Sequence, residues 1–244
     1  MNICKNCNEP IIGNYCSNCG QPAKPERVDG RYIIREIGDF LFAHKGMIYT
    51  VKKVLVSPGD SVRRFITEDR YRFAKPITFL FITSLIYTLA CHYFHIDAKD
   101  FYIQEPEIEF PTVNLFLNWM LEYQGYASII SGLFVAFWIK LFFRKAGYNL
   151  FEIFILLCFL SGISSLFSAG VALLQGLSHW NLMNISALIT MIYYAWAIGQ
   201  FFDKKKAVSY IKAFLSCILG FYVFGFLVAI IGIFIDIAKN NIII

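Results

Sequence analysis

The residues best suited to chemistry are four cysteines near the start of the chain. Cys4, Cys7, Cys16 and Cys19 form the pattern C-x2-C-x8-C-x2-C. Two residues between paired cysteines let both thiolates turn toward one metal from a tight knuckle. Two knuckles supply four soft ligands in a tetrahedron, a set that suits zinc, with iron as the other metal it accepts. Asn8 follows the first knuckle and Gly20 the second. Both residue types tolerate the left-handed backbone that a knuckle wants. Between the knuckles, Ile11-Ile12-Gly13-Asn14-Tyr15 reads as a small hairpin turning at Gly13-Asn14. A segment of about 20 residues has no core of its own, so metal binding would supply its folding energy. Four thiolates leave no open coordination position, which points to a structural zinc. A secreted knot of two disulfides is the competing pattern. It is disfavoured because no export signal is read at the start and only this head is cysteine-paired.

Other reactive side chains are sparse. Cys91, Cys158 and Cys217 sit singly in apolar runs and read as buried, inert thiols. His92 and His95 are three apart beside Cys91, so they would share a helix face. A metal or proton role is their sharper reading and a membrane-interface position the plainer one. His44 and His179 stand alone. The chain has no G-x-S-x-G, no H-E-x-x-H, no phosphate-binding loop and no dinucleotide fingerprint. These observations give an enzymatic reading nothing to stand on.

The elements that position the head are set by composition. The chain has 244 residues, of which 57% are hydrophobic, 18% aromatic and 16% charged, with a mean hydropathy of +0.56. A soluble domain carries about a quarter charged residues, and disorder needs low hydrophobicity with high charge. Both classes are excluded. The expected fold is an all-α integral membrane protein with a small polar head. Three parts are expected: a zinc ribbon over 1–22, a linker with basic amphipathic helices over 23–75, and a membrane domain over 76–244. The linker opens with Pro22 and Pro25. Ile33, Ile34, Ile37, Phe40 and Leu41 then fall at helical spacing, as do Met47, Ile48, Val51, Val54 and Leu55, with Lys52 and Lys53 off the apolar face. Neither stretch can span a bilayer, and both suit helices on a membrane surface or packed on the membrane domain. Ser57-Pro58-Gly59-Asp60 predicts a new helix, with Ser57 as its cap, Pro58 at the first position and Asp60 on its dipole. Arg63, Arg64, Arg70, Arg72 and Lys75 then crowd the entrance to the first span. They read as an orientation signal or, more specifically, as a contact with anionic lipid.

Five spans are predicted over 76–94, 125–143, 150–174, 180–202 and 210–235, each near the ~20 residues a bilayer requires. Residues 1–76 hold 13 of the 22 Lys and Arg, 140–145 hold 3 and 204–212 hold 4, leaving Lys99 and Lys239. Threading five spans puts every basic loop on one face. The positive-inside rule therefore predicts a cytoplasmic N-terminus and an external C-terminus. The segment from His95 to Tyr123 is acidic. It ends in an amphipathic stretch with Val113, Phe116, Leu117 and Met120, and with Trp119, Tyr123 and Tyr126 as interface anchors. Small residues four apart predict helix contacts: Ser128, Gly132 and Ala136 on span two, and Ser161, Ser165 and Ala169 beside Ser164, Ser168 and Ala172 on span three. The span-three serines could alternatively line a polar track. Lys140, Glu152, Asp203, Lys212 and Asp236 fall near span ends, where snorkelling suffices. No ionisable group marks a midplane, which disfavours a pump or coupled transporter. Nucleic-acid binding is disfavoured as well, because the head offers only Lys5 against Glu9.

The head C-K-N-C…C-S-N-C-G-Q and the run S-P-G-D-S-V-R-R-F-I-T-E-D-R-Y-R-F-A-K-P-I-T-F-L-F, with Pro58, Arg63, Arg70, Tyr71 and Pro76, resemble an uncharacterised family. Its members are zinc-ribbon-headed membrane proteins, mainly of Bacteroidetes-type bacteria, classed as a domain of unknown function. The resemblance covers roughly residues 1–95. It implies an inner-membrane protein with a cytosolic metal ribbon and supplies no activity. Three functions are expected from these features. The first is a non-enzymatic protein whose ribbon docks a protein partner while the bundle acts as anchor or scaffold. The second is a channel or permease for a small or lipidic solute, and the third is a ribbon-gated membrane-perturbing effector.

Overall fold

The computed structural model describes residues 2–4, 7, 9–11, 13, 17–18, 46–68, 70, 72–96, 110–178, 180 and 182–242. The chain divides into two compact units, 1–44 and 45–244. In the first, β1 (Asn2–Ile3) pairs antiparallel with β2 (Pro10–Ile11), Asn2 opposite Ile11 and Ile3 opposite Pro10. The expected amphipathic stretch over Ile33 to Leu41 lies outside the described residues, as does the acidic segment 97–109.

The second unit is helical: α1 (Met47–Val56), α2 (Pro58–Thr67), α3 (Pro76–Tyr93), α4 (Pro111–Glu122), α5 (Gln124–Phe142), α6 (Leu150–Ser178), α7 (Met183–Asp203) and α8 (Ala207–Ile242). Five of these, α3 and α5 to α8, are long and apolar enough to cross a membrane. In hydrocarbon every backbone group must bond within the segment, so apolar runs of this length fold as helices. Pro58, Pro76 and Pro111 each stand at the first position of their helix, where the missing N–H costs nothing. α6 has 29 residues and α8 has 36. At 1.5 Å per residue α8 is about 54 Å long, well beyond a ~30 Å hydrocarbon layer.

The chain runs up and down through the bundle. Tyr210 Oη donates to Lys204 O at 3.1 Å, and Lys212 Nζ to Phe142 O at 3.5 Å. The starts of α3, α6 and α8 therefore share one end with the finishes of α5 and α7. The basic residues of 52–75, 140–145 and 204–212 collect at this end, while Lys239 lies at the other.

α1, α2 and the connector to α3 form a collar at the basic end that shares the bundle's core. Phe65 of α2, Phe73 of the connector and Phe79 of α3 converge on Phe159 of α6, with ring centroids 5.1, 6.3 and 5.8 Å away. All four rings are buried. Burying one such ring contributes roughly 1.5–3 kcal/mol, so the collar is held by core packing as well as by polar ties. The buried face of α1 differs from the expected one. Thr50 and Val54 turn inward, whereas Ile48 is 83% exposed and Leu55 is also exposed. The collar buries the face that meets α2 and the connector, and that face is offset from the stripe read by periodicity alone.

Small residues notch the helix contacts. A Cβ on Gly162 would lie 2.4 Å from the Phe79 ring, and one on Gly220 would lie 2.6 Å from Val135 Cα. Close approach of this kind replaces the hydrophobic drive that lipid does not supply. The serine rows of α6 face inward as their spacing predicts. Ser161 and Tyr194 share a hydrogen bond at 2.6 Å, and Ser168 and Ser186 share one at 3.1 Å, tying α6 to α7.

Candidate functional site

Of the four cysteines expected to hold a metal, Cys4 and Cys7 fall among the described residues. The Cys4 N–H donates to Glu9 O at 2.9 Å, and the β1–β2 pairing closes the chain on either side of residues 4–9. Cys4 is buried and Cys7 half-buried. Cys16 and Cys19 lie outside the described residues, and so do Ile12, Asn14 and Tyr15 of the expected hairpin. Among the described residues no three His, Cys, Asp or Glu side chains gather. Cys158 and Cys217 are both buried, and Cys217 belongs to the bundle core.

His92 and His95 do not share a helix face. α3 ends at Tyr93, and His95 turns back with φ 51°, its N–H donating to His92 O at 3.3 Å. Both side chains are exposed. The chain stops being helical before the spacing argument applies.

The second feature is the set of ties that hold the collar. Ser57 does not cap α2. Its hydroxyl donates back to Lys53 O at 3.4 Å, and the N–H of Gly59 is taken instead by Gln200 Oε1 of α7 at 2.8 Å. A Cβ on Gly59 would fall 2.4 Å from Phe201 N, so only glycine lets the helix start come this close. Tyr193 Oη donates to Val54 O at 3.0 Å. Ala74 N–H donates to the fully buried Thr50 Oγ1 at 2.9 Å. Asp60 accepts from Arg63 and, at 3.4 Å, from Lys204. Partial burial pushes the Asp60 carboxyl up, and the adjacent Arg63 and Lys204 charges outweigh it and hold it below its usual value.

Caps supplied from another helix recur. Asp236 of α8 accepts the Thr112 N–H at 3.0 Å and the Thr112 hydroxyl at the start of α4. Gln175 Oε1 of α6 accepts Leu182 N–H at 2.9 Å and Met183 N–H at 3.3 Å at the start of α7. Helix starts carry N–H groups with no partner inside the helix, and apolar surroundings make leaving them bare costly. Asp236 is therefore not a snorkelling carboxylate: it is 8% exposed and turned inward onto a helix N-terminus. Sequence reasoning passed over Gln175 and Gln200. Each is a lone strongly polar side chain in a long apolar run, which was the available signal.

The five basic residues expected to meet lipid behave differently from one another. Arg63 pairs with Asp60, Arg64 lies 3.5 Å from Glu68, and Arg70 donates to Ile66 O at 3.1 Å. Arg72 and Lys75 are exposed.

A family model described as a protein of unknown function (DUF3667) matches residues 45–88. That stretch is the collar together with most of α3, so an uncharacterised domain family coincides with the docked segment. Neither a curated protein nor a solved structure matches the chain.

Proposed function

We propose that this chain is a non-enzymatic inner-membrane adaptor. Zinc held by Cys4, Cys7, Cys16 and Cys19 folds the head, the head docks a protein partner in the cytosol, and the helix bundle anchors it. The metal supplies cross-linking of the head and no reaction step. The observation that carries this reading is the joint between collar and bundle at Gly59 and Gln200. It ties the segment that precedes the first span firmly to the bundle. The packed interior around Phe159, Leu156, Leu160 and Ile163 favours an anchor over a conduit. The collection of basic residues at one end supports a cytosolic collar, and with it a cytosolic head.

Photo-crosslinking of the full chain in its native membranes tests the reading. A partner is expected to crosslink to the wild type and to be lost from Cys4→Ser and Cys16→Ser chains inserted at equal levels. An identical set of crosslinks in all three contradicts it.

One observation favours the permeation reading. Ser165 Oγ on α6 is buried and has no hydrogen-bond partner among the described residues. If the serines line a path, Ser165→Leu abolishes solute flux into liposomes while the fold persists.

A further inference from the structure

We propose that the seam between α5 and α8, at the basic end of the bundle, seats the phosphate headgroup of an anionic phospholipid between Lys140 and Lys212. Four of the other cations at this end are matched by carboxylates. Arg63 and Lys204 share Asp60, Arg64 faces Glu68, and Lys206 pairs with Asp203 at 3.0 Å. Glu152 is engaged with Asn149 in a reciprocal cap, each accepting the other's N–H at 2.8 Å. Among the described residues no carboxylate pairs with Lys140, Lys212 or the neighbouring Arg144 and Lys145.

The two lysines converge on one short stretch of chain. Lys140 Nζ donates to Tyr148 O, and Lys212 Nζ reaches Phe142 O at 3.5 Å while lying 5.9 Å from the centre of the Phe143 ring. Both are half-buried. An ammonium has three donors, and each of these contacts engages one. The carbonyl end of α5 offers about half a negative charge, which leaves two positive charges undercompensated. An anion with several acceptor oxygens matches that need. Leu141 on α5 and Ile211 and Leu215 on α8 are exposed beside the lysines. This apolar flank suits acyl chains and favours a lipid over free phosphate. The site rests on the bundle spanning a membrane and is independent of what the cysteine head does.

Native mass spectrometry of the full chain, exchanged between phosphatidylglycerol and phosphatidylcholine micelles, measures the preference directly. The wild type is expected to retain phosphatidylglycerol preferentially, and Lys140→Gln/Lys212→Gln to lose about tenfold of that preference. Lys239→Gln, at the opposite end, is expected to keep it. Millimolar inorganic phosphate is expected not to displace the lipid. Should the double variant fail to fold, Lys212→Gln alone reads the same ratio, with a loss of about threefold expected. An unchanged preference overturns the proposal, even if thermal stability falls, because the lysines would then serve only the end of α5. Full displacement by inorganic phosphate overturns it as well.

Discussion

Gln200 Oε1 accepts the backbone N–H of Gly59 at 2.8 Å across a separation of 141 residues. A side chain of the fourth spanning helix thus caps the second helix of the collar, and the glycine at the contact has no room for a Cβ. The sequence-family match over 45–88 ends inside α3, so the residue that completes the cap lies outside the matched stretch. The collar and the bundle are one packing unit.

Removing that cap should loosen the collar. Gln200→Leu leaves the Gly59 N–H without its acceptor and is expected to cost about 1–3 kcal/mol. Gly59→Ala forces Cβ into the backbone of Phe201 and is expected to cost a similar ~1–3 kcal/mol by overpacking. Thermal unfolding in detergent and protease cleavage within 45–75 should both report the change. Wild-type resistance in both variants would mean that the collar is held by its aromatic packing alone.

Acid should act on the same joint. The folded-state pKa of Asp60 lies below the ordinary 3.8, so its contribution is present above that value and is lost as pH falls through the lower folded value. Asp60 is 42% exposed in its ion pairs, so at neutral pH the pair is worth no more than about 1 kcal/mol and weakens with salt. The expected result is a wild-type unfolding midpoint that drops below about pH 4, with a shallower drop in Asp60→Asn. Parallel curves for the two chains would remove Asp60 from the joint.

At the opposite end, Asp236 holds the start of α4. Asp236→Ala strips the Thr112 N–H of its acceptor and removes a negative charge from a helix N-terminus, at an expected cost of about 1–3 kcal/mol. Hydrogen exchange of the amides in 111–122 should accelerate, while exchange in α6 stays at its wild-type rate. Unchanged exchange in α4 would show that Val113, which packs against Gly232, suffices to hold it.

Much of the fold was legible because its signals are local. Five apolar runs of bilayer length gave five helices, and α4 followed from the spacing of Val113, Phe116, Leu117 and Met120. The serine rows of α6 pointed inward because small residues four apart lie on one face. The ends of α6 and α8 were less legible. The last span was expected to end at 235, but Asp236 is turned inward onto Thr112 and the helix runs on to Ile242. The caps at Gly59, Thr112 and Leu182 were invisible for the same reason, since their acceptors belong to other helices. Ser57 was read as a cap from adjacent residues alone, whereas its hydroxyl donates back to Lys53 O in the preceding helix. In the head, the pairing of Asn2–Ile3 with Pro10–Ile11 joins residues distant from the expected turn at Gly13-Asn14, so local turn signals did not point to it.

The metal-folded head is the central claim, and zinc stoichiometry in the purified full chain tests it most directly. About one tightly held zinc per chain is expected, falling to background in Cys4→Ser and Cys16→Ser chains that still insert in the membrane. Wild-type protein free of zinc, or zinc retained at the same level in both variants, would contradict the account.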